Sequence, residues 1–349
     1  MDVRPKIDEI DIRILKTLLR DPRTSFAEIS KDCKMSTSTI RMRFKRLKKD
    51  GIITGAITQV NPKSLGYNCI ALLSIQAAAN EEKSVYNFVE KIPEILQSFQ
   101  PIGSYNILSF AALKSIDELA HTVEQINSHP HVRDVHECIL VDIVRMDHPK
   151  NLVIEPFDGS QHTDEMLPKD ENPKPVVISP NVAETAEESH PDGSYDLNEV
   201  DKAIMAIVAK NAGLSFRRVA KKVGVSTQSV IRRYNRLRKT VLPYSSITLD
   251  LRKLGYIGTS LFYIKTSHQH TTSDVFNELL RVPNIIVAYK CLGTIDISVA
   301  APFSNFEQLL KLKEEICKTP GVNQIDVFID RAFSSWPLNL LAQLLPEQK

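Results

Sequence analysis

Ile7-Asp8-Glu9-Ile10-Asp11 returns 190 residues later as Leu197-Asn198-Glu199-Val200-Asp201. The same offset carries Ser25-Phe26 to Ser215-Phe216, Ser36-Thr37 to Ser226-Thr227, and Arg46-Leu47 to Arg236-Leu237. It also carries Gly103-Ser104-Tyr105-Asn106 to Gly293-Thr294-Ile295-Asp296. Solenoid units run roughly 20–50 residues, so a period of this length is a duplicated multi-element module. The chain reads as a dimer written into one polypeptide.

The stretch around the first copy sets the fold class. Ile7, Ile10, Ile14, Leu15 and Leu18 recur at helical spacing, with Asp8 and Asp11 in the N-terminal turn, and Asp21-Pro22 closes the segment. Ser25 caps a short second helix carrying Phe26, Ile29 and Cys33. Ser36 caps a third, which ends at Asp50-Gly51. Three short helices with a tight turn between the last two make a helix-turn-helix, and the alternating segment 52–60 reads as its wing. Beyond residue 68 the pattern is strand 69–78, helix 82–91, strands 95–102 and 106–113, helix 115–128 and strand 132–144. That βαββαβ order is ferredoxin-like. The second copy repeats it, with helices at 197–211, 215–223, 226–239, 272–281 and 304–318 and strands near 258–267, 285–292, 294–300 and 322–330. A helix near 337–345 has no counterpart in the first half. The class is α+β, with a helix-turn-helix at 1–60 and an effector domain at 68–146. An acidic linker follows at 147–195, then a second helix-turn-helix at 196–250 and a second effector domain with the C-terminal helix at 256–349. Rich in Pro, Glu, Asp and Ser, the linker cannot offset its ordering entropy by burial and is expected to be disordered or loosely docked.

Composition limits the function classes. The 349 residues allow two to four domains. No run of about 18 apolar residues exists, and the charged N-terminus carries no signal-peptide pattern, so a cytoplasmic protein with no membrane partner is expected. Cys33, Cys69, Cys138, Cys291 and Cys317 are scattered, as for buried thiols under reducing conditions. His129, His131 and His136 cluster without metal-ligand spacing, and His268 and His270 form a loop pair. No phosphate loop, nucleophile elbow or paired carboxylate motif is present, so neither catalytic residue, cofactor nor metal is expected. Net charge is only +2, but residues 1–60 carry +6, residues 196–250 carry +7 and residues 147–195 carry −8. Two basic heads on an acidic tether suit a polyanion, although solvated helix faces would give the same charge.

The third helix decides between those readings. At 100° per residue, Ile40, Phe44 and Leu47 fall on the core side, while Ser38, Arg41, Met42, Lys45 and Arg46 fall opposite. In the second copy Val230, Tyr234 and Leu237 face inward and Gln228, Arg232, Asn235 and Arg236 outward. Arg, Gln and Asn make bidentate bonds to base edges in the major groove. Thr37 and Thr227 open the two helices, where hydroxyls suit phosphates. Lys48, Lys49, Arg217, Arg218, Lys221, Lys222, Arg238 and Lys239 are placed as phosphate neutralisers, which set affinity and salt dependence. The expected partner is double-stranded DNA.

Taken together, these motifs resemble the Lrp/AsnC family of transcription regulators. The likeness runs from Ile/Leu-Asp/Asn-x-x-Asp through the helix-turn-helix to Lys63-Ser64-Leu65-Gly66-Tyr67 (253–256 in the second copy) and the Gly-x-x-Asp turn. The resemblance implies effector domains paired through their sheets, here within one chain, and further association of the pairs. It also implies a small effector, amino-acid-like, bound near Gly103, Ser104, Tyr105 and Asn106 and near Gly293, Thr294 and Asp296. Asn106 replaces the aspartate kept at Asp296, so two ligand sites would differ in charge. Pro243 is expected to degrade the second wing. Lys34 stands where the second copy has Gly224, a strained exchange if that turn needs positive φ. A second reading is a siroheme decarboxylase-like enzyme, which the tandem layout and the ending Trp336-Pro337-Leu338-Asn339-Leu340 resemble. Its His-Cys-Tyr-Arg segment is replaced here by Ala288-Tyr289-Lys290-Cys291-Leu292.

Overall fold

In the computed structural model, which describes residues 6–145, 152–155, 176–178 and 197–345, each half begins with three capped helices. α1 (Glu9–Arg20) starts with a capping box, Asp8 and Asp11 each accepting the other's N–H. Ser25 Oγ accepts the Glu28 N–H at the start of α2 (Phe26–Asp32), and Ser36 Oγ accepts the Thr39 N–H at the start of α3 (Thr37–Lys49). Gly51, at φ +73°, turns the chain into β1 (Ile53–Gln59). The first ferredoxin-like unit follows: β2 (Cys69–Ala77), α4 (Glu82–Val89), β3 (Ile95–Phe99), β4 (Ile107–Leu113), α5 (Ile116–Asn127) and β5 (Val132–Arg145). After β6 (Val176–Ile178) the second half repeats the order. Its head is α6 (Glu199–Lys210), α7 (Phe216–Val223) and α8 (Thr227–Thr240). Then come β7 (Tyr244–Leu249), β8 (Gly258–Thr266), α9 (Thr272–Leu279), β9 (Val287–Gly293), β10 (Ile297–Phe303), α10 (Phe306–Lys318) and β11 (Val322–Arg331).

The strands expected as separate wings are instead partners. β1 and β7 form an antiparallel two-stranded ribbon, with Ile57 opposite Ser246. Hydroxyl pairs cross it, Thr58 Oγ1 to Ser245 Oγ at 2.9 Å and Thr54 Oγ1 to Thr248 Oγ1 at 2.7 Å. Pro243 does not degrade the second strand, because it lies just before β7, where no ladder donor is lost. Each head rests partly on the other half's strand: Ser246 Oγ donates to the Leu19 carbonyl, and the Ala212 N–H donates to the Ala56 carbonyl.

The effector units form one continuous sheet, ordered β11-β8-β10-β9-β5-β2-β4-β3. Alternation sorts its faces. Even-numbered residues of β2 (Ile70, Leu72) and odd-numbered residues of β8 (Leu261, Tyr263) meet in a shared inner core with Phe110 and Phe328. The opposite faces bury against α4 and α5 in the first half and α9 and α10 in the second. One seam between the halves, β5 with β9, is zipped over seven residue pairs from Cys138↔Gly293 to Arg145↔Val287. The other is the single bridge Ile102↔Ile329. Ser74 and Tyr263, each the sixth residue of its strand, share a buried 3.0 Å hydrogen bond between the halves.

Of the acidic linker, only 152–155 and 176–178 fall among the described residues, and these dock. Leu152 and Ile154 are buried in the first head's core, and the Tyr256 hydroxyl donates to the Val153 carbonyl. β6 pairs with β5. The C-terminal segment is a short 3-10 turn, Leu340–Leu344, rather than an α-helix. Cys33, Cys69 and Cys138 are buried as expected, but Cys317 is exposed.

Candidate nucleic-acid interface

Both recognition helices are bolted to the first helix of their head by one buried carboxylate. Asp11 is fully buried. Arg43 donates to Asp11 Oδ1 at 3.0 Å and to Asp8 Oδ2 at 2.6 Å, and Arg46 donates to Asp11 Oδ2. The second head repeats the device: Arg233 to Asp201 Oδ1 at 2.9 Å, Arg236 to Asp201 Oδ2 at 2.6 Å, and Arg233 to Asn198 Oδ1 at 3.2 Å. Leaving such a carboxylate unpaired costs on the order of 3–5 kcal/mol, so the clamp fixes the angle between the helices. Burial raises the Asp8 carboxyl, but the Arg43 bond and the Asp11 N–H outweigh it and hold the group below the usual aspartate range.

The clamp changes the reading of two residues. Arg46 and Arg236 lie on the outward arc, yet each guanidinium reaches back to an aspartate, with its side chain under half exposed. They are positioning residues, and Arg43 and Arg233 were missed as their partners. The signal was available: Asp11 precedes Arg43 and Arg46 by 32 and 35 residues, as Asp201 precedes Arg233 and Arg236.

Most of what remains outward differs in identity between copies, although both helices open on a threonine. Thr37, Ser38, Arg41, Met42, Lys45, Lys48 and Lys49 are exposed on α3. Thr227, Gln228, Arg232 and Asn235 are exposed on α8, and Arg217 and Arg218 on α7. Met42, at 64% exposure, is an apolar side chain held in water at the centre of this arc. Arg238 is half-buried and donates to Ser245 Oγ at 2.9 Å, so it braces the ribbon. In the turn before the recognition helix, Lys34 sits at φ +51° and Gly224 at φ +76°. The conformation is shared, and the lysine carries about 1 kcal/mol of strain that the glycine avoids. The heads also touch: the Arg23 guanidinium lies 4.1 Å from the Phe216 ring centroid and 4.9 Å from that of Tyr234.

The two Gly-x-x-Asp turns lie at the seams, and their acidic position does structural work. Asn106 Oδ1 accepts the Ala77 N–H at 2.8 Å, and its Nδ2 donates to the Ala77 carbonyl at 3.0 Å. Asp296 Oδ2 accepts the Thr266 N–H at 2.7 Å and the Thr266 hydroxyl at 3.0 Å. An amide fits where the strand end offers a donor and an acceptor, and a carboxylate where it offers two donors. The exchange follows the residue each must hold, and the two turns still differ in charge, Asn106 being neutral where Asp296 is a carboxylate. Gly103 is bare because a Cβ there would lie 2.3 Å from the Phe328 ring, and Tyr105 stacks on that same ring. Gly293 sits at φ +137°, where a Cβ would lie 2.6 Å from the Glu137 carbonyl oxygen. Ser104 is exposed and Thr294 half-buried.

His129 and His131 pack ring against ring, with centroids 5.7 Å apart. His136 bonds Asp134 at 2.7 Å, and His129 packs on Phe88 with ring centroids 5.0 Å apart.

Two clamped three-helix heads with exposed polar stripes, joined by a shared ribbon, define a protein of the helix-turn-helix DNA-binding class. Residues 7–54 match the winged helix-turn-helix DNA-binding family, and residues 197–238 match the AsnC-type helix-turn-helix domain. The chain is 36% identical to the HTH-type transcriptional regulator Ptr1 of Methanocaldococcus jannaschii, over 32% of this chain and 76% of that protein. It is 34% identical to the regulatory protein AsnC of Escherichia coli, over 35% of this chain and 86% of that one. The chain belongs to the Lrp/AsnC family of DNA-binding transcriptional regulators, in a form that carries two modules in tandem. The whole two-module fold is shared with the siroheme decarboxylase NirDL, at a TM-score of 0.59 over 97% of both chains with 14% identity. Among the described residues no helix is long and apolar enough to cross a membrane.

Proposed function

We propose that this regulator reads an asymmetric operator, one unlike half-site per head. The observation that carries the reading is the shared clamp beneath unlike exposed stripes: Ser38, Arg41, Met42 and Lys45 on α3, against Gln228, Arg232 and Asn235 on α8. Arg41 and Arg232 suit guanine, and Gln228 and Asn235 suit adenine, in the major groove. Lys48, Lys49, Arg217 and Arg218, with Thr37 and Thr227 at the helix starts, take the phosphates. The ribbon holds the heads so that the recognition helices enter successive major grooves, about 34 Å apart. The pair of halves self-associates further, and a small effector biases head spacing through its difference in affinity for two states. The protein is not an enzyme.

Footprinting on its own promoter, with Arg41→Ala and Arg232→Ala, tests this. Each variant is expected to lose about 1–3 kcal/mol of discrimination in one half-site only, while Lys48→Ala lowers the salt slope by about one for all sequences. A palindromic footprint, with both half-sites equally sensitive to each variant, would overturn the reading. The decarboxylase reading rests on the fold shared with NirDL. A Soret shift on siroheme titration, with no promoter gel shift, would favour it.

A further inference from the structure

A cavity of about 130 Å³ lies between the two halves of the inner core. It sits on the side of the single bridge, where β11 ends and the tail crosses. Leu72, Phe110 and Leu261 line its body, and Trp336 and Leu340 line it from the tail. Its size is close to the ~150 Å³ of apolar cavities that take benzene.

Gln59 and Tyr289 also line it, but its polar corner at Thr259 is unusual. Thr259 is 5% exposed, and its Oγ1 has no hydrogen-bond partner among the described residues. A buried hydroxyl left so costs stability unless something meets it. Asp330 is its direct cross-strand neighbour, in register on β11, and also lines the cavity. The Asp330 Oδ1 accepts the Arg331 N–H at 2.6 Å. Burial pushes the Asp330 carboxyl up, against the Arg331 N–H and charge, as for an acid facing a poorly solvated space. Among the lining residues there is no Lys, Arg or His. A ligand carboxylate would meet an acid with no cation among the lining residues to offset it. A ligand ammonium would find a carboxylate and a hydroxyl side by side.

We propose that this cavity is a binding site for a small apolar amine, its ring or branched chain in the apolar body and its ammonium between Thr259 and Asp330. The site differs from the Gly-x-x-Asp turns in place and in chemistry, since it excludes amino acids by their carboxylate. Its ligand bears on the second head. The tail that lines the cavity is tied to α6, where Asn339 Nδ2 donates to the Ala209 carbonyl at 2.9 Å. The same tail is tied to the ribbon, where Gln59 Nε2 donates to the Leu338 carbonyl at 2.7 Å. Ala342 and Leu345 are buried in the second head's core. Filling the cavity is therefore expected to shift protection at the second head's half-site, a consequence that rests on the DNA-reading function above.

The chain has one tryptophan, Trp336, and it lines the cavity. Its emission, excited where the ligand does not absorb, reports binding to the full chain. Benzylamine is expected to change it saturably, and benzoate, the same ring with a carboxylate, to leave it unchanged. Thr259→Val is expected to weaken benzylamine about five- to ten-fold, one hydrogen bond's worth. Ala300→Leu, which fills the cavity from β10, is expected to abolish the response. A non-saturating response, or an equal response to benzoate, overturns the site. Footprinting with benzylamine then tests the coupling. Unchanged protection at the second half-site overturns the coupling and leaves the site in place. A saturable titration in a protein that binds no promoter DNA sinks the regulatory reading instead of the site.

Discussion

Where β5 meets β9, the two halves are zipped over seven residue pairs; where β11 approaches β3, Ile102 and Ile329 alone bridge them. The residues are counterparts. At an offset of 190, Ile102 and Ile329 correspond to Leu292 and Ile139, which pair in the zipped seam. Two differences separate the outcomes. Cys138 in the closed seam is replaced by Phe328 in the open one, and that ring lies over Gly103. In addition, β5 runs for 14 residues but β11 for 10. Beyond Arg331 the chain leaves the sheet for β7. Phe333 accepts the Leu251 N–H, and Trp336 exchanges both backbone bonds with Leu249. The aromatics of that detour, Phe333 against Phe99 and Trp336 under the ribbon, fill part of the gap. A sheet edge left unpaired must be covered, and here the tail covers it.

The comparison can be broken most sharply at Trp336. It is 4% exposed and has no counterpart in the first half. Trp336→Ala is expected to cost about 3–5 kcal/mol in urea unfolding and to raise amide exchange in β11 while β9 stays protected. Equal loosening of both seams would mean that the tail does not close the open one. The glycines give the next effect. Gly293→Ala meets a backbone oxygen at positive φ, with nothing able to move short of opening the ladder. It is expected to cost about 3 kcal/mol. Gly103→Ala meets a ring that can shift toward the cavity, and about 1 kcal/mol is expected. A reversed order in chemical denaturation would contradict the assignment of which seam is rigid. The smallest effect lies between the seams. Tyr263→Phe removes one side of the Ser74 hydrogen bond, and a double-mutant cycle with Ser74→Ala should return a coupling of about 1 kcal/mol. A coupling near zero would leave the pair as packing alone.

Ser74 and Tyr263 also show what duplication permits. They occupy the same position in their strands and face each other. Two tyrosines there would overfill the core, and two serines would leave a gap. A small residue beside a large one fits only when the halves are different.

Most of the fold could be read from the chain because its signals are local. The caps at Asp8, Ser25 and Ser36 and the alternation in β2 each concern residues within a turn or a strand. The readings that changed involve partners distant in sequence. The partner of β1 lies in the other half, and no periodicity within 52–60 could name it. Arg46 was assigned by the direction of its Cα–Cβ bond, but a long guanidinium side chain can double back to a buried acid. At the turns, Asn106 and Asp296 were compared as ligand groups, whereas each answers to the hydrogen-bonding groups of Ala77 or Thr266. Among the expected DNA contacts all but Arg238 stand exposed, although Arg46 and Arg236 turn their guanidinium groups back to an aspartate.

The ribbon of β1 and β7 has a consequence for dosage. Each head leans on a strand supplied by the other half, and that strand is covalently attached. A covalent link makes the second pairing intramolecular, set by an effective concentration rather than by the protein's concentration in the cell. The pairing of heads is therefore a first-order event, unaffected by dilution. A regulator assembled from separate subunits would lose paired heads as the square of its falling concentration. This chain loses them only in proportion to the number of molecules present.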